Sequence, residues 1–317
     1  MEKFNIGIIG YGNLGKALYR KITICNNMRV SVVFSRRKAD EIEVSGNTII
    51  DNVANIEQYY GKLDAVAVTV GSATDLIPTT IKVAKLFNTI DSFDNHNRIG
   101  DYFNILQPIC NESKKISLIS CGWDPGIMSI MRAFFAVMFP YGETTNFWGK
   151  GVSSGHTQAL KQIEGVCDAL QFTIPNKRKQ NAALKGKNIE NSLSLHTRMC
   201  YVSLNLSADK KRVYHEIVSM PDYFEPYKTK IKFVSEETIH LMKKNLSHQG
   251  MVIRNIFEPQ SQLLFKLKTE NNSDFTASIM AAFLPAIIRL NREGQIGAKT
   301  IYDIPLNYLL NNSLNYL

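Results

Sequence analysis

FNIGIIGYGNLG, residues 4–15, joins a short apolar run to glycines spaced as G-x-G-x-x-G. The apolar run is strand-like, and residues 14–24 have the apolar spacing of a helix, so the glycines fall at a turn from strand to helix. In that setting Gly10 permits the tight turn, Gly12 lets a ligand approach the backbone, and Gly15 lets the helix pack closely on the strand. The helix N-terminus also favours phosphate groups. The stretch predicts a dinucleotide-binding unit, with a glycine-rich turn that binds nothing as the alternative.

Strand-like and helix-like segments alternate through the first part of the chain. Strands are predicted at residues 30–34, 65–70, 88–91 and 116–120, and a further helix at residues 77–87. Strands that are apolar on both faces favour a parallel sheet covered by helices. We therefore expect an α/β fold built on a Rossmann-type doubly wound parallel sheet.

The pattern changes after about Asp124. Residues 199–206 and 230–234 alternate as in an antiparallel sheet with one solvated face, and residues 277–289 are helical in type. A chain of 317 residues is long enough for two cores. We expect a dinucleotide-binding domain at residues 1–123, with residues 290–317 as a candidate to pack back onto it. A second, mixed α/β domain for substrate binding and dimerisation is expected at residues 124–289.

Composition and charge narrow the function classes. The net charge of +9 is spread over dispersed basic residues, and the lysine-rich segment 176–191 is predicted to be a solvated excursion, so we expect no nucleic-acid partner. No run reaches 18 apolar residues, and the longest candidate, residues 128–139, is predicted to be a buried helix because it contains Arg132, so we expect no membrane span. Five cysteines without a C-x-x-C pair and six scattered histidines predict free thiols and no metal. With no signal-peptide pattern, we expect a cytoplasmic protein.

The second predicted strand ends in Ser35-Arg36-Arg37. An NAD-binding site usually has Asp or Glu there to bind the ribose 2′-hydroxyl. A hydroxyl and two guanidinium groups replace that carboxylate, and arginine binds phosphate through two parallel hydrogen bonds. The residues predict NADP, with a solvated arginine pair as the alternative. The small residues 71–74 follow another strand and predict either a cofactor loop or a plain βα turn.

Two carboxylates follow further predicted strands, in Asp91-Ser92-Phe93-Asp94-Asn95-His96 and in Ser120-Cys121-Gly122-Trp123-Asp124-Pro125-Gly126. Paired carboxylates suit a substrate with an ammonium group, because they attract the cation and can accept protons when the amine is oxidised. Each aspartate has a purely structural alternative as a turn or helix-capping residue, and Asp124 before Pro125 is especially cap-like.

With these motifs in place, the chain resembles the meso-diaminopimelate D-dehydrogenase family. The matching segments are GYGNLG, FSRR, GSATD, DSFDNH, GWDPG, FWGKG, SSGH and SDFTAS, which run from residue 10 to residue 278. The resemblance implies NADP-dependent oxidative deamination at the D-centre of meso-diaminopimelate, which gives L-2-amino-6-oxopimelate and ammonia. The reverse reaction would supply lysine and cell-wall synthesis. The resemblance also implies a homodimer.

The resemblance assigns residues to roles. Asp94 and Asp124 would be catalytic and would hold the reacting amino group. The remaining substrate positions it implies are Trp148, Ser154, Gly155, Thr173, Arg198, His248 and Asn272. Thr173, Arg198 and His248 would bind the distal carboxylate. The cofactor positions are Gly10, Tyr11, Gly12, Asn13, Leu14, Gly15, Ser35, Arg36, Arg37, Gly71, Ser72, Ala73, Thr74, Ser92, Phe93, Cys121, Gly122 and Trp123.

Two positions depart from the family pattern. Ser154 stands where a glutamine is expected, which leaves the fit at the D-centre open. Gln249 and Met251 stand where a glycine and a histidine are expected, which leaves the loop at the L-centre open.

Two other readings remain. The first is another NADP-linked Rossmann oxidoreductase that acts on a different amino or oxo acid, which requires that Asp94, Asp124 and Arg198 do not share one cleft. The second is a non-catalytic NADP-binding sensor, which requires a blocked nicotinamide pocket or carboxylates that face away from it.

Overall fold

The structure is a computed structural model, and it describes residues 3–37, 39–189, 192–243 and 247–310, without the side chains of Ser154 and Ser192. The chain divides into two compact units. The first comprises Met1–Ile127 and Ser273–Leu317, and the second comprises Met128–Asn272.

The helices and strands are numbered in chain order. The strands are β1 (Phe4–Ile9), β2 (Met28–Phe34), β3 (Ile49–Asp51), β4 (Ala65–Val68), β5 (Asn88–Asp91), β6 (Ile116–Leu118), β7 (Glu143–Trp148), β8 (Gly151–Val152), β9 (Val166–Pro175), β10 (His196–Leu204), β11 (Thr229–Phe233), β12 (His248–Phe257), β13 (Gln260–Thr269) and β14 (Gly297–Lys299). The α-helices are α1 (Asn13–Thr23), α2 (Leu76–Ala84), α3 (Ile99–Ser113), α4 (Ile127–Met138), α5 (Ser154–Lys161), α6 (Lys177–Leu184), α7 (Lys210–Val218), α8 (Glu236–Met242) and α9 (Asn272–Arg292). Short 3-10 helices lie at Ala39–Glu41, Val53–Tyr59, His96–Arg98, Ser192–Leu195, Ile301–Asp303 and Leu306–Tyr308.

The first unit is built on a parallel sheet with the strand order β14-β6-β5-β4-β1-β2-β3. The strands β4 and β5 are buried at every position, as expected for the centre of a sheet that is covered on both faces. The strand order reverses between β1 and β4, which is where open α/β sheets bind ligands. The Rossmann-type doubly wound sheet is confirmed.

The second unit holds two sheets instead of the single antiparallel sheet that the alternating segments predict. One has the order β11-β10-β9-β8 and the other β13-β12-β7. In the first sheet β10 pairs with β11 in parallel, while the other pairings are antiparallel. The reason is the connection through α7, which packs Val213 and Ile217 into the core and returns the chain in the same direction. Alternation along a strand carries no information about the direction of its neighbour.

Helix α9 places the boundary of the second unit earlier than the sequence suggested. Residues 273–289 were expected in the substrate domain, but the structure groups them with the first unit. Most of the helix is buried, from Thr276 to Leu290, and its apolar surface is therefore core surface. By length and composition alone the helix is also apolar enough to cross a membrane, but 61% of its apolar 18-residue stretch is buried in the protein. The final strand β14 pairs with β6, so this part of the chain lies in the first sheet.

Two other segments differ from expectation. Residues 176–191 were predicted to be a solvated excursion; residues 190–191 lie outside the described chain, and from 176 to 189 all positions are exposed or half-buried except Gln180 and Ala183, which α6 buries in the second unit. Helix α4 was predicted to be buried, yet Phe134 and Val137 are 56% and 80% exposed. Composition identified α4 as apolar but did not show that the face with Phe134 and Val137 would be left uncovered by the described part of the chain.

Candidate active site

The glycine loop has the geometry that a pyrophosphate needs. Gly10 has φ +92°, a left-handed conformation that favours glycine. A Cβ at Gly15 would lie 2.1 Å from the Gly10 carbonyl oxygen, so the close approach of α1 requires glycine there. At Gly12 a Cβ would meet no atom of the described chain within 4 Å, and no side chain caps the helix. The hydroxyl of Thr69 donates to the Gly10 carbonyl at 2.7 Å and fixes the loop. The loop therefore fits a dinucleotide.

The two arginines after β2 have different settings. Arg36 is 85% exposed, and its only ion pair within the described chain is a 3.2 Å contact with Asp75. Such an exposed pair is weak, so a phosphate can replace the carboxylate as the partner of this guanidinium. Arg37 instead donates from Nη2 to the carbonyl of Tyr11, and its N–H donates to the Ser35 hydroxyl at 3.1 Å. Arg37 therefore braces the glycine loop.

Residues 71–74 follow β4, next to the reversal in strand order. The carbonyl of Gly71 accepts from the N–H groups of Asp75 and Leu76 and begins α2. Gly71 and Thr74 are exposed, and Ser72 and Ala73 are half-buried. The small side chains leave this end of the sheet open, as a cofactor loop requires.

The two predicted carboxylates lie on neighbouring loops of the first unit. Asp94 follows β5 and is half-buried, and Asp124 follows β6 and is 9% exposed. A Cβ at Gly122 would lie 3.7 Å from the Cβ of Ser92, so the loops touch. Gly126 has φ +141°, and a Cβ there would lie 1.5 Å from the Gly122 oxygen. The tight turn that carries Asp124 therefore depends on these glycines.

Two of the predicted cofactor positions have side chains in the core. Phe93 is 1% exposed and packs edge-on against Tyr102, with 5.2 Å between ring centroids. Cys121 is fully buried, which raises the pKa of its thiol well above the usual value. Because those side chains are buried, only the backbone at Phe93 and Cys121 remains for a cofactor contact. Trp123 is half-buried.

A buried cation marks the second unit. Arg198 is 7% exposed and donates from Nη1 to the Thr173 hydroxyl at 2.6 Å. Its guanidinium carbon lies 4.3 Å from the ring centroid of Tyr227, which is a cation–π contact. Within the described chain no carboxylate lies within 4.0 Å of it, and its Nε has no hydrogen-bond partner. Because a buried charge is costly without a counter-charge, Arg198 is suited to bind an anion.

Two histidines border this cation. His248 packs against Gly151, where a Cβ would lie 2.3 Å from its Nδ1, and Gly151 pairs with Thr173 across the sheet. The backbone N–H of Trp148 donates to Nε2 of His196 at 2.8 Å, and the two rings lie 4.8 Å apart. Nε2 of His196 therefore carries no proton, and the hydrogen bond that it accepts holds Trp148 in place.

The two histidines are expected to remain neutral well below their usual pKa. Burial and the Arg198 cation lower the pKa of His196 to about 3, and burial lowers the pKa of His248 to about 4. In the unfolded chain both titrate near about 6.5. Only the unfolded state takes up these protons. The free energy of unfolding is therefore highest above that pH and falls as the pH drops towards the pKa values of the folded state, by up to about 1.4 kcal/mol per pH unit for each histidine.

Proton NMR of the imidazole Cε1–H groups tests this expectation. His196→Asn and His248→Asn assign the two signals, which should not move between pH 8 and about 5. A signal from either residue that titrates near about 6.5 would contradict the buried, neutral assignment.

The remaining predicted substrate residues have mixed outcomes. The side chain of Ser154 lies outside the described part of the chain, while its backbone begins α5 and Gly155 is buried there. The amide oxygen of Asn272 is buried without a hydrogen-bond partner in the described structure. Met251 packs in the core with Phe147, so this departure from the family pattern affects packing in the core.

Sequence reasoning missed three residues beside these sites: Thr69, His196 and Tyr227. Each acts through a partner far along the chain, as in the contact of His196 with Trp148 across 48 positions. Only the strand register, which places Arg198 opposite Thr173, brings such partners together. Among the described residues, no three His, Cys, Asp or Glu side chains cluster as metal ligands.

A parallel sheet with a pyrophosphate loop at its reversal point and paired carboxylates on the next loops defines an oxidoreductase of the Rossmann class. Residues 122–270 match the family model of the diaminopimelic acid dehydrogenase C-terminal domain. Over 313 residues the chain is 41% identical to meso-diaminopimelate D-dehydrogenase of Ureibacillus thermosphaericus, and the aligned region covers 98% of this chain and 96% of the relative. The chain belongs to the meso-diaminopimelate D-dehydrogenase family.

Solved structures agree over the whole length. The chain matches a C. glutamicum DAP dehydrogenase in complex with DAP, with a TM-score of 0.92, 32% identity and coverage of 100% of this chain and 98% of that chain. It also matches an engineered D-amino acid dehydrogenase bound to NADP+, with a TM-score of 0.91, 30% identity and coverage of 99% and 98%.

Proposed function

We propose that this protein catalyses the NADP-dependent oxidative deamination of meso-2,6-diaminopimelate at its D-centre. Substrate, NADP+ and water give L-2-amino-6-oxopimelate, ammonia, NADPH and a proton. The observation that carries the proposal is the match to the family over 98% of the chain, together with a buried Arg198 in the second unit that has no carboxylate partner among the described residues. A substrate with one reacting and one distal amino acid centre requires both an amine site and an anion site.

NADP fits the first unit. The glycine loop and the N-terminus of α1 would hold the pyrophosphate, and Arg36 would bind the 2′-phosphate. When bound, the nicotinamide supplies a hydride acceptor.

The carboxylates of the first unit would act on the reacting amino group. Asp94 and Asp124 would bind the ammonium of the D-centre and accept its proton, because a neutral amine is needed before hydride can leave the Cα. Holding this group fixes the direction of the Cα–H bond, which is the main contribution a protein makes to hydride transfer.

The second unit would bind the other end of the substrate. Arg198 would pair with the distal carboxylate, with Thr173 and the neutral His248 as further hydrogen-bonding groups. Trp148, held by His196, would wall the pocket, and the bare amide oxygen of Asn272 would accept from the distal ammonium. Recognition of both ends is what separates the meso isomer from the LL and DD isomers.

An amine-oxidation assay tests the proposal. Purified protein is incubated with NADP and with the meso, LL and DD isomers side by side, and formation of NADPH and ammonia is followed. Turnover of the meso isomer in preference to LL and DD is expected. Turnover of a different amino or oxo acid with no reaction on the meso isomer would favour another NADP-linked oxidoreductase of this fold.

The cofactor preference has its own test. Arg36→Ala is expected to weaken NADP binding by about 10- to 150-fold and to leave NAD binding nearly unchanged, since a charged hydrogen bond is worth about 1.5–3 kcal/mol. Arg37→Ala is expected to weaken both cofactors, because Arg37 braces the glycine loop through Tyr11. Dissociation constants from fluorescence titration check both variants, and equal losses for NADP and NAD in Arg36→Ala would contradict the assignment.

A cytoplasmic homodimer in lysine and cell-wall precursor synthesis completes the proposal. Phe134 and Val137 in the last turns of α4 and Tyr141 just after the helix are 56%, 80% and 94% exposed, an apolar surface that suits a second copy of the chain. Val137→Lys is expected to shift the protein towards monomer in sedimentation velocity, while Ile24→Lys, at a 78% exposed site of the first unit, leaves it unchanged. A monomeric wild type would remove the dimer from the proposal.

A further inference from the structure

Asp91, the last residue of β5, is a fully buried carboxylate with no role in the proposed chemistry so far. Its Oδ1 accepts from the backbone N–H groups of Phe93 and Ser120, both at 3.0 Å. Its Oδ2 accepts from the hydroxyl of Tyr102 at 2.6 Å. The Asp91 carbonyl accepts from the N–H of Cys121 at 2.8 Å. One residue therefore bonds to both loops that follow β5 and β6 and to helix α3.

These bonds fall close to the proposed reacting groups. Asp94 follows Asp91 by three positions, and Asp124 follows Ser120 by four. Ser120 has φ +56°, a left-handed conformation that is uncommon for a residue other than glycine. The bond from the Ser120 N–H to Asp91 holds this conformation, which turns the chain from β6 towards Asp124.

We infer that Asp91 is a positioning residue, whose carboxylate joins the two loops and fixes Asp94 and Asp124 relative to each other. The role rests on the function proposed above. The link between Asp91 and the two loops is a feature of the first unit alone, and it can be tested without substrate.

The three hydrogen bonds favour an ionised carboxylate. Two N–H groups donate to Oδ1 and one hydroxyl donates to Oδ2, and protonation would weaken the N–H bonds and turn the Tyr102 hydroxyl from donor to acceptor. Burial raises the pKa of Asp91 to about 6, against the lowering effect of those hydrogen bonds. The titratable groups that face it are the Tyr102 hydroxyl of α3 and the Cys121 thiol after β6, and burial raises the pKa of both, so they stay neutral. The link should therefore loosen as pH falls through about 6.

The sequence supplies an optical probe of the link. Of the two tryptophans in the chain, Trp123 lies on the loop after β6, between Cys121 and Asp124. Trp148→Phe leaves Trp123 as the single tryptophan, and its emission is measured from pH 8 to pH 5. A transition with a midpoint near 6 is expected.

Two substitutions in the Trp148→Phe background assign that transition. Asp91→Asn should abolish it, because the amide does not titrate. Tyr102→Phe should move the midpoint to higher pH, because it removes a hydroxyl hydrogen bond that lowers the pKa of Asp91 in the parent. His96→Gln removes the imidazole on the same stretch of chain and should leave the midpoint in place. A flat parent titration, or a transition that survives Asp91→Asn, would overturn the inference.

Turnover distinguishes positioning from a structural role. In the protein with both tryptophans, Asp91→Asn should lower kcat for meso-diaminopimelate by about 100-fold, the size expected when a reacting group moves by about 1 Å. The NADP dissociation constant should change by much less than kcat, because the glycine loop and Arg36, which would hold the phosphates, lie on other strands, and Asp91 is hydrogen-bonded to the cofactor positions Phe93 and Cys121 through their backbone. The raised pKa means that ionising Asp91 costs folding stability as pH rises from about 4 to about 6, and Asn keeps the oxygen for the two N–H groups while its amide can donate to the Tyr102 hydroxyl, so Asp91→Asn should not lower the melting temperature at pH 7.

The outcomes separate the two proposals. Unchanged kcat in Asp91→Asn, or a kcat loss that only follows a lower melting temperature, would refute positioning. If no diaminopimelate isomer is oxidised by the wild type, the proposed function fails, while the Trp123 titration still decides whether Asp91 links the loops. If Asp91→Asn does not fold, the direction of the midpoint shift in Tyr102→Phe decides.

Discussion

Asp94→Asn and Asp124→Asn are each expected to lower kcat for meso-diaminopimelate by about 10²–10⁴-fold while the fold and NADP binding are kept. The reason is that an amide neither attracts the ammonium by charge nor accepts its proton, and a positioned acid–base group contributes about that factor. Asparagine keeps the size and the hydrogen-bonding oxygen of aspartate, so the loops should retain their shape. Steady-state kinetics and thermal melting, measured on the same preparations, check the prediction.

The structural alternative for each aspartate has a distinct signature. A helix cap tolerates asparagine but loses about 1 kcal/mol with alanine. If Asp124 were only a cap, Asp124→Asn would retain activity and Asp124→Ala would lower the melting temperature with activity per folded molecule unchanged. Asp101→Asn, at an exposed site in the first turn of α3, serves as the matched control and should change neither quantity.

Arg198→Ala is expected to raise KM for meso-diaminopimelate by about 10- to 150-fold. The substitution removes a charge-assisted contact with the distal carboxylate, worth about 1.5–3 kcal/mol, and the buried setting limits compensation by water. Arg198→Lys should recover only part of the loss, because an ammonium cannot make the two parallel hydrogen bonds of a guanidinium. Initial-rate kinetics over a range of substrate concentrations measure the effect.

The substrate itself supplies the sharpest control. D-Lysine is meso-diaminopimelate without the distal carboxylate. Its turnover is expected to be slow and to change little between wild type and Arg198→Ala. Arg212→Ala removes an arginine of the same unit that is paired with Glu216 at 2.7 Å on the surface, and should leave KM unaltered. Wild-type KM in Arg198→Ala would move the distal clamp to another basic residue of the second unit.

The sequence by itself determined the nucleotide-binding fold and the family. Gly10 and Gly15 are needed for reasons that act within a few residues, namely a left-handed turn and a helix packed on the strand before it. Burial on both faces of a central strand is likewise visible as an unbroken apolar run, as in β4. Such local requirements restrict the residue types at neighbouring positions, and the sequence alone therefore predicts these features.

Only the tertiary structure decided how the chain uses its buried polar groups. Asp91 reaches Ser120 across 29 positions and Arg198 reaches Thr173 across 25, and neither pairing has a local signature. The direction of β11 beside β10 and the place of α9 in the first unit have the same origin. A hydrogen bond or a strand pairing between distant segments depends on register and crossover, which are properties of the assembled sheet. Residue identity therefore predicted which groups carry charge, and the fold decided which of them meet.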